Sequence, residues 1–169
     1  MVSYIQSNYM GFGSGIVIPG TGISLQNRGA NFSLDPSQAN YLKPGKKTYH
    51  TIIPGFISKD GQAIGPFGVM GGFMQPQGHV QIIMNMIDFN LNPQSALDAH
   101  RWQWIEGKKI KIEKNFPQKI IEVLCEKGHI IEISLDSIGF GRGQIIWEDE
   151  NGIMLGATEP RADGTVAAW

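Results

Sequence analysis

The sequence predicts an α+β layered domain; the order of its elements carries that class, while length and glycine content bound its size and its loops. Short strand-like runs come first, then two helical stretches, a third helix and closing strands, without the repeated βαβ alternation of a doubly wound sheet. The 169 residues suit one domain portion spanning 1–169, long enough to bury a real core. Glycine stands at 22 of 169, about 13% against a usual value of about 7%, with no collagen-like period. Such a chain is rich in tight turns and close backbone approaches.

The elements follow in order. Val2 to Gln6 reads as a strand, and the glycines at 11, 13 and 15 forbid a regular element there. Ile16 to Ile18 and Ile23 to Gln26 are short apolar runs either side of Pro19-Gly20-Thr21-Gly22. Asn27 to Lys47 is polar, carries Pro36 and Pro44, and reads as a long ordered loop of the kind that often faces a substrate. His50 to Ile57 and Phe67 to Met70 read as strands, with a turn at Lys59-Asp60-Gly61. From His79 to Phe89, Val80, Ile83, Met84 and Ile87 share one helical face, and Ile82, Met86 and Phe89 widen it, so a mostly buried helix is expected. Asn92-Pro93 opens a second helix running to about Ala99, with a capping residue ahead of proline.

Lys109-Ile110-Lys111-Ile112-Glu113 alternates strictly, as a half-solvated strand does. Pro117 to Lys127 is a helix stopped by Gly128, expected to bury Ile120, Val123 and Leu124. Ile130 to Ile133 is a strand, and Gln144 to Trp147 with Ile153 to Leu155 flank a hairpin at Asn151-Gly152.

Charge and composition exclude several functions. A net charge of −1 gives no electrostatic reason to expect nucleic acid or an anionic membrane as partner. One cysteine, Cys125, excludes an intrachain disulfide and a multi-cysteine zinc site. No apolar run reaches about 18 residues. The start, MVSYIQSNYMG, does not read as a secretory signal, which favours a cytoplasmic setting. The Gly11-x-Gly13-x-Gly15 cluster lacks the following helix that a phosphate-binding loop needs. His50, His79, His100 and His129 have no metal-ligand spacing, so hydrogen-bonded structural histidines and no metal or cofactor are expected. Cys125 reads as a small hydrophobe beside the apolar face of its helix. Gly71-Gly72, at a strand end shortly before a buried helix, can either form a tight turn or present backbone N–H groups as an oxyanion hole.

Five separated motifs occur in order: Gly13-Ser14-Gly15-Ile16-Val17, Leu25-Gln26-Asn27-Arg28-Gly29, Gly68-Val69-Met70-Gly71-Gly72, Asn90-Leu91-Asn92-Pro93 and Gly156-Ala157-Thr158-Glu159-Pro160-Arg161. Together they resemble the small subunit of γ-glutamyltranspeptidases, collinearly from about Met1 to Trp169, and within that family the acylase-like branch. The resemblance implies an N-terminal-nucleophile hydrolase fold, an αββα sandwich with two stacked antiparallel sheets, of which this chain is the small-subunit portion. It implies a proenzyme that cuts itself to expose a threonine, which attacks a γ-glutamyl or related amide with its own α-amine as base.

Carried over residue by residue, Gly71 and Gly72 match the oxyanion-hole glycines, and Asn8 an asparagine near the nucleophile. His50 and Thr51 stand where two serines contact the glutamyl carboxylate in typical members. Arg28 replaces a Gln or Glu, and Asn31 replaces the Asp that pairs with the substrate's α-ammonium. Exchanging a carboxylate for a guanidinium disfavours an ammonium and favours an extra carboxylate, as in a glutaryl or polyglutamyl group. The nucleophilic threonine lies upstream of the segment matching Val2 to Asn8, so the chain alone is expected to be inactive and to need the large-subunit portion of the same precursor. The rival readings are a binding or structural module keeping the fold without the chemistry, and a hydrolase using Cys125 with His79 or His129.

Overall fold

In the computed structural model, which describes residues 1–169 throughout, the chain divides into a larger unit, Met1–Ser3 with Pro54–Trp169, and a smaller one, Tyr4–Ile53. The larger unit is built on a four-stranded antiparallel sheet of β1 (Gly55–Lys59), β2 (Gln62–Met70), β6 (Arg142–Glu148) and β7 (Met154–Thr158), in the order β1-β2-β6-β7. Asp60 and Gly61 take φ of 52° and 78°, the left-handed pair that a two-residue hairpin requires. At the other hairpin, the Asp149 carboxylate accepts from the N–H groups of Asn151 and Ile153, which holds it below the ordinary aspartate range.

Two helices, α1 (Gln75–Ile87) and α2 (Pro93–Asp98), pack on one face of this sheet. Asn92 caps α2 by accepting from the Ser95 N–H at 2.8 Å. The shared core consists of Val69, Ile82, Met86, Ala96, Leu97, Ile145 and Ala157. On the opposite face Phe56, Met70, Ile146 and Met154 are exposed, giving this sheet a second apolar surface.

Helix α1 corrects the expected face. Gly78, Ile82 and Met86, spaced i, i+4, i+8, lie toward the sheet, and Gln75 and Gln81 are buried as well. Val80, Met84 and Ile87 are 52, 43 and 54% exposed. Apolar residues cover more than half of the helix surface, with Gln77, Gln81 and Asn85 as the polar stripe, so periodicity alone does not choose its buried side. Gly78 chooses it, because a Cβ there would come within 2.8 Å of Val69 Cγ1. The helix also starts four residues earlier than expected, with Pro76 in its first turn.

A second sheet, in the order β3-β4-β5, joins β3 (Trp102–Glu106), β4 (Lys109–Glu113) and β5 (Ile130–Ser134). β3 pairs antiparallel with β4, whereas β4 and β5 run parallel, connected by α3 (Gln118–Glu126). One βαβ crossover is therefore present, in a chain whose element order otherwise lacks that alternation. Ile110 and Ile112 are buried, while Lys109 and Lys111 pair with Glu132 on the solvated face. Helix α3 buries none of its residues: Ile120 and Val123 are exposed, and Cys125 is exposed rather than packed. Helix amphipathicity identified an apolar face there, and β5 covers it only in part, leaving Ile121 and Leu124 half-buried.

The outer edge of β3 is closed by α1. Gln81 donates to the Trp102 carbonyl at 2.8 Å and accepts from its N–H at 3.1 Å. Gln77 makes the same pair of bonds with Trp104, at 3.2 and 2.7 Å. Four helical residues rise about 6 Å and two strand residues about 6.6 Å, so glutamines at i, i+4 match alternate residues of an edge strand.

A buried charge cluster links the elements of this unit. Arg101 pairs with Glu159 at 2.7 Å, and Arg161 bridges Glu159 at 2.7 Å and Glu113 at 2.6 Å. Arg161 also donates to the carbonyls of Leu97 and Ala99. Burial raises the Glu113 pKa, but bonds from Arg161 and the Arg101 N–H outweigh it and leave it below the ordinary glutamate value.

Val2 to Gln6 is not a strand. No neighbouring strand pairs with it, and its one recorded bond is from Ser3 Oγ to the Phe67 carbonyl. The first large strand begins at Gly55, so His50 to Pro54 lies outside it.

The smaller unit is mostly turns and irregular chain. A narrow hairpin is held by Ile18 N–H to Ile23 O and Leu25 N–H to Ile16 O, both 2.9 Å, with one bridge between Val17 and Ser24. A short 3₁₀ turn spans Arg28–Asn31, and Ser33 bridges Tyr41 across the loop that follows.

Candidate functional site

Gly71 and Gly72 terminate β2 and lead through a 3₁₀ turn, Gly72–Met74, directly into α1. Their φ values are 151° and 59°, a backbone shape that a Cβ would strain. Neither N–H is used in a hydrogen bond within the chain. Met74 N–H instead closes the turn on the Gly71 carbonyl at 3.1 Å. Two adjacent free N–H groups at the start of a helix are competent to stabilise a developing oxyanion. Just before the pair, Val69 N–H donates to His79 Nε2 at 3.0 Å, and burial lowers the His79 pKa. The neutral ring with its proton on Nδ1 is the form that can accept this bond.

The other expected residues lie in the smaller unit, and the structure brings two of them into direct contact. Arg28 is 5% exposed. Its Nε donates to Thr51 Oγ1 at 2.7 Å and its Nη2 to the Ser7 carbonyl at 2.9 Å. The Gln26 side chain accepts from the Arg28 N–H and fixes the turn. None of the ion pairs in the chain includes Arg28. A buried guanidinium without a counter-ion is costly and is poised to take an anion.

Asn31, at the end of the same 3₁₀ turn, accepts from Tyr9 Oη at 3.0 Å, and its Nδ2 is buried without a partner. Asn8 accepts from the Asn27 N–H through its backbone carbonyl. It precedes Tyr9, which takes a φ of 80°, uncommon for a residue with a side chain. His50 is not joined to Arg28. It is exposed, and its Nδ1 accepts from the Ile52 N–H at 3.1 Å. Sequence reasoning missed Ser7 and Tyr9 as partners, since a backbone carbonyl and an aromatic hydroxyl leave no spacing signal.

The two sheets with their helices and the glycine turn are those of the small-subunit portion of an N-terminal-nucleophile hydrolase. The family model described as gamma-glutamyltranspeptidase matches residues 1–169, and the chain belongs to that family. It is 40% identical over 169 residues to the "Glutathione hydrolase-like YwrD proenzyme" of Bacillus subtilis (strain 168), covering 96% of this chain and 32% of that protein. It is 38% identical over 174 residues to the "Oxamate amidohydrolase proenzyme" of Klebsiella pneumoniae, covering 99% and 33%. The crystal structure of cephalosporin acylase from Bacillus halodurans superposes with a TM-score of 0.92 at 67% identity, over 98% of this chain and 31% of that one. The chain thus spans about a third of the length of these relatives.

Proposed function

We propose that this chain is the small-subunit portion of an amidohydrolase that cleaves amides of dicarboxylic acyl groups, of glutaryl or γ-glutamyl type, through a threonine acyl-enzyme. In this reading the threonine and the large-subunit portion come from the same precursor, and the chain alone is inactive. The threonine Oγ attacks the amide carbonyl as its α-amine takes the proton. Gly71 and Gly72 donate their N–H groups to the oxyanion of the tetrahedral intermediate, and Asn8 serves the neighbourhood of the nucleophile. The leaving amine departs with a proton, and water then hydrolyses the acyl ester.

Arg28 carries the substrate assignment, because it is buried, bonded to Thr51 and lacks any carboxylate partner. A free carboxylate on the acyl group would supply the missing charge, with Thr51 and Asn31 as further hydrogen-bonding groups. The names of the relatives are compatible: one is an oxamate amidohydrolase and another a cephalosporin acylase.

Co-expression with the upstream portion of the precursor tests the proposal. Self-cleavage and hydrolysis of glutaryl and γ-glutamyl 4-nitroanilides are expected, with no turnover by the chain alone. A wide preference for glutathione over glutaryl amides in kcat/KM would remove the carboxylate assignment.

A further inference from the structure

We propose that Arg101 is a positioning residue for the Gly71–Gly72 turn and acts through the backbone of Gly141. The inference rests on the reading of that turn as an oxyanion hole and concerns what holds it in place.

Arg101 and Glu159 are both almost wholly buried. Arg101 Nη1 donates to the carbonyls of Phe140 and Gly141, both at 3.0 Å, while Nη2 donates to Glu159 Oε2 at 2.7 Å. The same Glu159 oxygen accepts from the Gly143 N–H at 2.7 Å. Both members of the ion pair therefore grip one short stretch of backbone, residues 140–143, at the start of β6.

That stretch lies directly against the glycine turn. A Cβ built on Gly71 would come within 2.9 Å of Gly141 Cα, and one built on Gly141 within 2.8 Å of the Met70 carbonyl. The two backbones touch with no side chain between them. The β2–β6 ladder adds Val69 opposite Gly143 and Met70 opposite Arg142, ending immediately before Gly71. A displacement of residues 140–143 thus has no soft group in which to dissipate before it reaches Gly71.

Fold stability is a weak reason to keep this arrangement. Arg101 Nε is buried without a partner, and buried ion pairs are often matched or bettered in stability by apolar residues of similar volume. Geometric control is a better reason. Oxyanion donors work at about 2.7–3.1 Å from the developing charge, and a misplacement of about 1 Å can cost about 10²-fold in rate.

The test uses the complete processed enzyme with Arg101→Lys, which keeps the charge but loses the planar fork that reaches Glu159 and both carbonyls together. Glu159→Gln is the milder second variant should Arg101→Lys fail to fold, and Ile112→Val, buried in the second sheet, is the comparator for lost stability. Each is assayed at a temperature where it is fully folded. A roughly 10- to 100-fold loss in kcat on glutaryl 4-nitroanilide is expected for the cluster variants, with KM within about threefold. Ile112→Val should keep its kcat. Crystal structures should show Gly71 displaced in Arg101→Lys. Gly71 unmoved, or kcat unchanged in both cluster variants with Gly71 unmoved, overturns the proposal. A displaced Gly71 with unchanged kcat leaves the hold of Arg101 on the turn intact and removes the oxyanion reading instead.

Discussion

Replacing Gly78 by alanine sets two opposing effects against each other at the contact between α1 and the first sheet. Alanine in a helix interior is favoured over glycine by about 1 kcal/mol. The new Cβ, however, would stand 2.8 Å from Val69 Cγ1, 3.2 Å from Val69 Cβ and 3.5 Å from Cγ2. Ordinary carbon contacts lie at about 3.5–4.0 Å, so the helix or the valine must retreat by most of an ångström. Val69 is poorly placed to move. Its N–H is held by His79, its strand is paired opposite Gly143, and its Cγ1 already fills the space beside Gly141.

Overpacking of this kind costs about 1–3 kcal/mol, and the immobility of Val69 puts the site in the upper part of that range. The net expectation is a destabilisation of about 1–2 kcal/mol, or a fall in Tm of about 3–6 °C for a chain of this size. Thermal unfolding followed by circular dichroism reads it directly. The double variant Val69→Ala with Gly78→Ala should lose less stability than the two single variants summed, and that coupling measures the close contact. An unchanged or raised Tm for Gly78→Ala alone would show that the close approach does not set the buried face of α1.

Four other outcomes are expected. Arg28→Gln in the complete enzyme should lower kcat/KM on glutaryl 4-nitroanilide by about 10- to 100-fold, the worth of a charge-assisted bond, with a smaller loss on γ-glutamyl 4-nitroanilide; steady-state kinetics on the two substrates decide it. Gly72→Ala, which forces a side chain into φ +59°, should lower kcat by about 10²-fold with KM little changed. Unfolding measured against pH should show stability falling as pH drops through 6.5, the ordinary histidine value, because burial depresses the folded His79 pKa and the unfolded chain binds the proton first. His79→Gln should flatten that limb, while a further fall below pH 4.5 remains, since the Glu113 pKa is also lowered on folding. Gln81→Leu leaves the Trp102 N–H and carbonyl without their side-chain partners and should cost about 1–3 kcal/mol in denaturant unfolding.

What the sequence made legible was local. Asn92-Pro93 and Asn151-Gly152 act within three or four residues, and the cap and the hairpin formed where those pairs stand. The alternation holds from Lys109 to Ile112 because one face of β4 meets solvent and the other a core, and it breaks at Glu113, which is buried against Arg161. What stayed hidden was non-local. Trp102–Glu106 became a strand through pairing with β4 and edge bonds to α1, neither of which its composition announces. The buried side of α1 was set by a glycine meeting a valine nine residues away, and Val2 to Gln6, with no strand paired to it, has no regular structure. At the candidate site, Gly71-Gly72 was readable as a strand-to-helix glycine pair. Arg28 and Thr51 were connected by family resemblance rather than spacing, since 23 residues separate them. Arg101 gave no signal, although the Glu159-Pro160-Arg161 run that anchors it did.

The paired glutamines on α1 have a consequence for how the second sheet meets other chains. An exposed strand edge is a template on which foreign strands add. Here Gln77 and Gln81 present side-chain amides, each with a donor and an acceptor, in place of the peptide groups of a neighbouring strand. The sheet is terminated chemically rather than sterically, with a helix standing in for its fourth strand. Glutamic acid in either position keeps the acceptor and loses the donor, and leucine loses both. Such changes reopen the edge to intermolecular pairing and convert a small stability defect into a tendency to fibrous association.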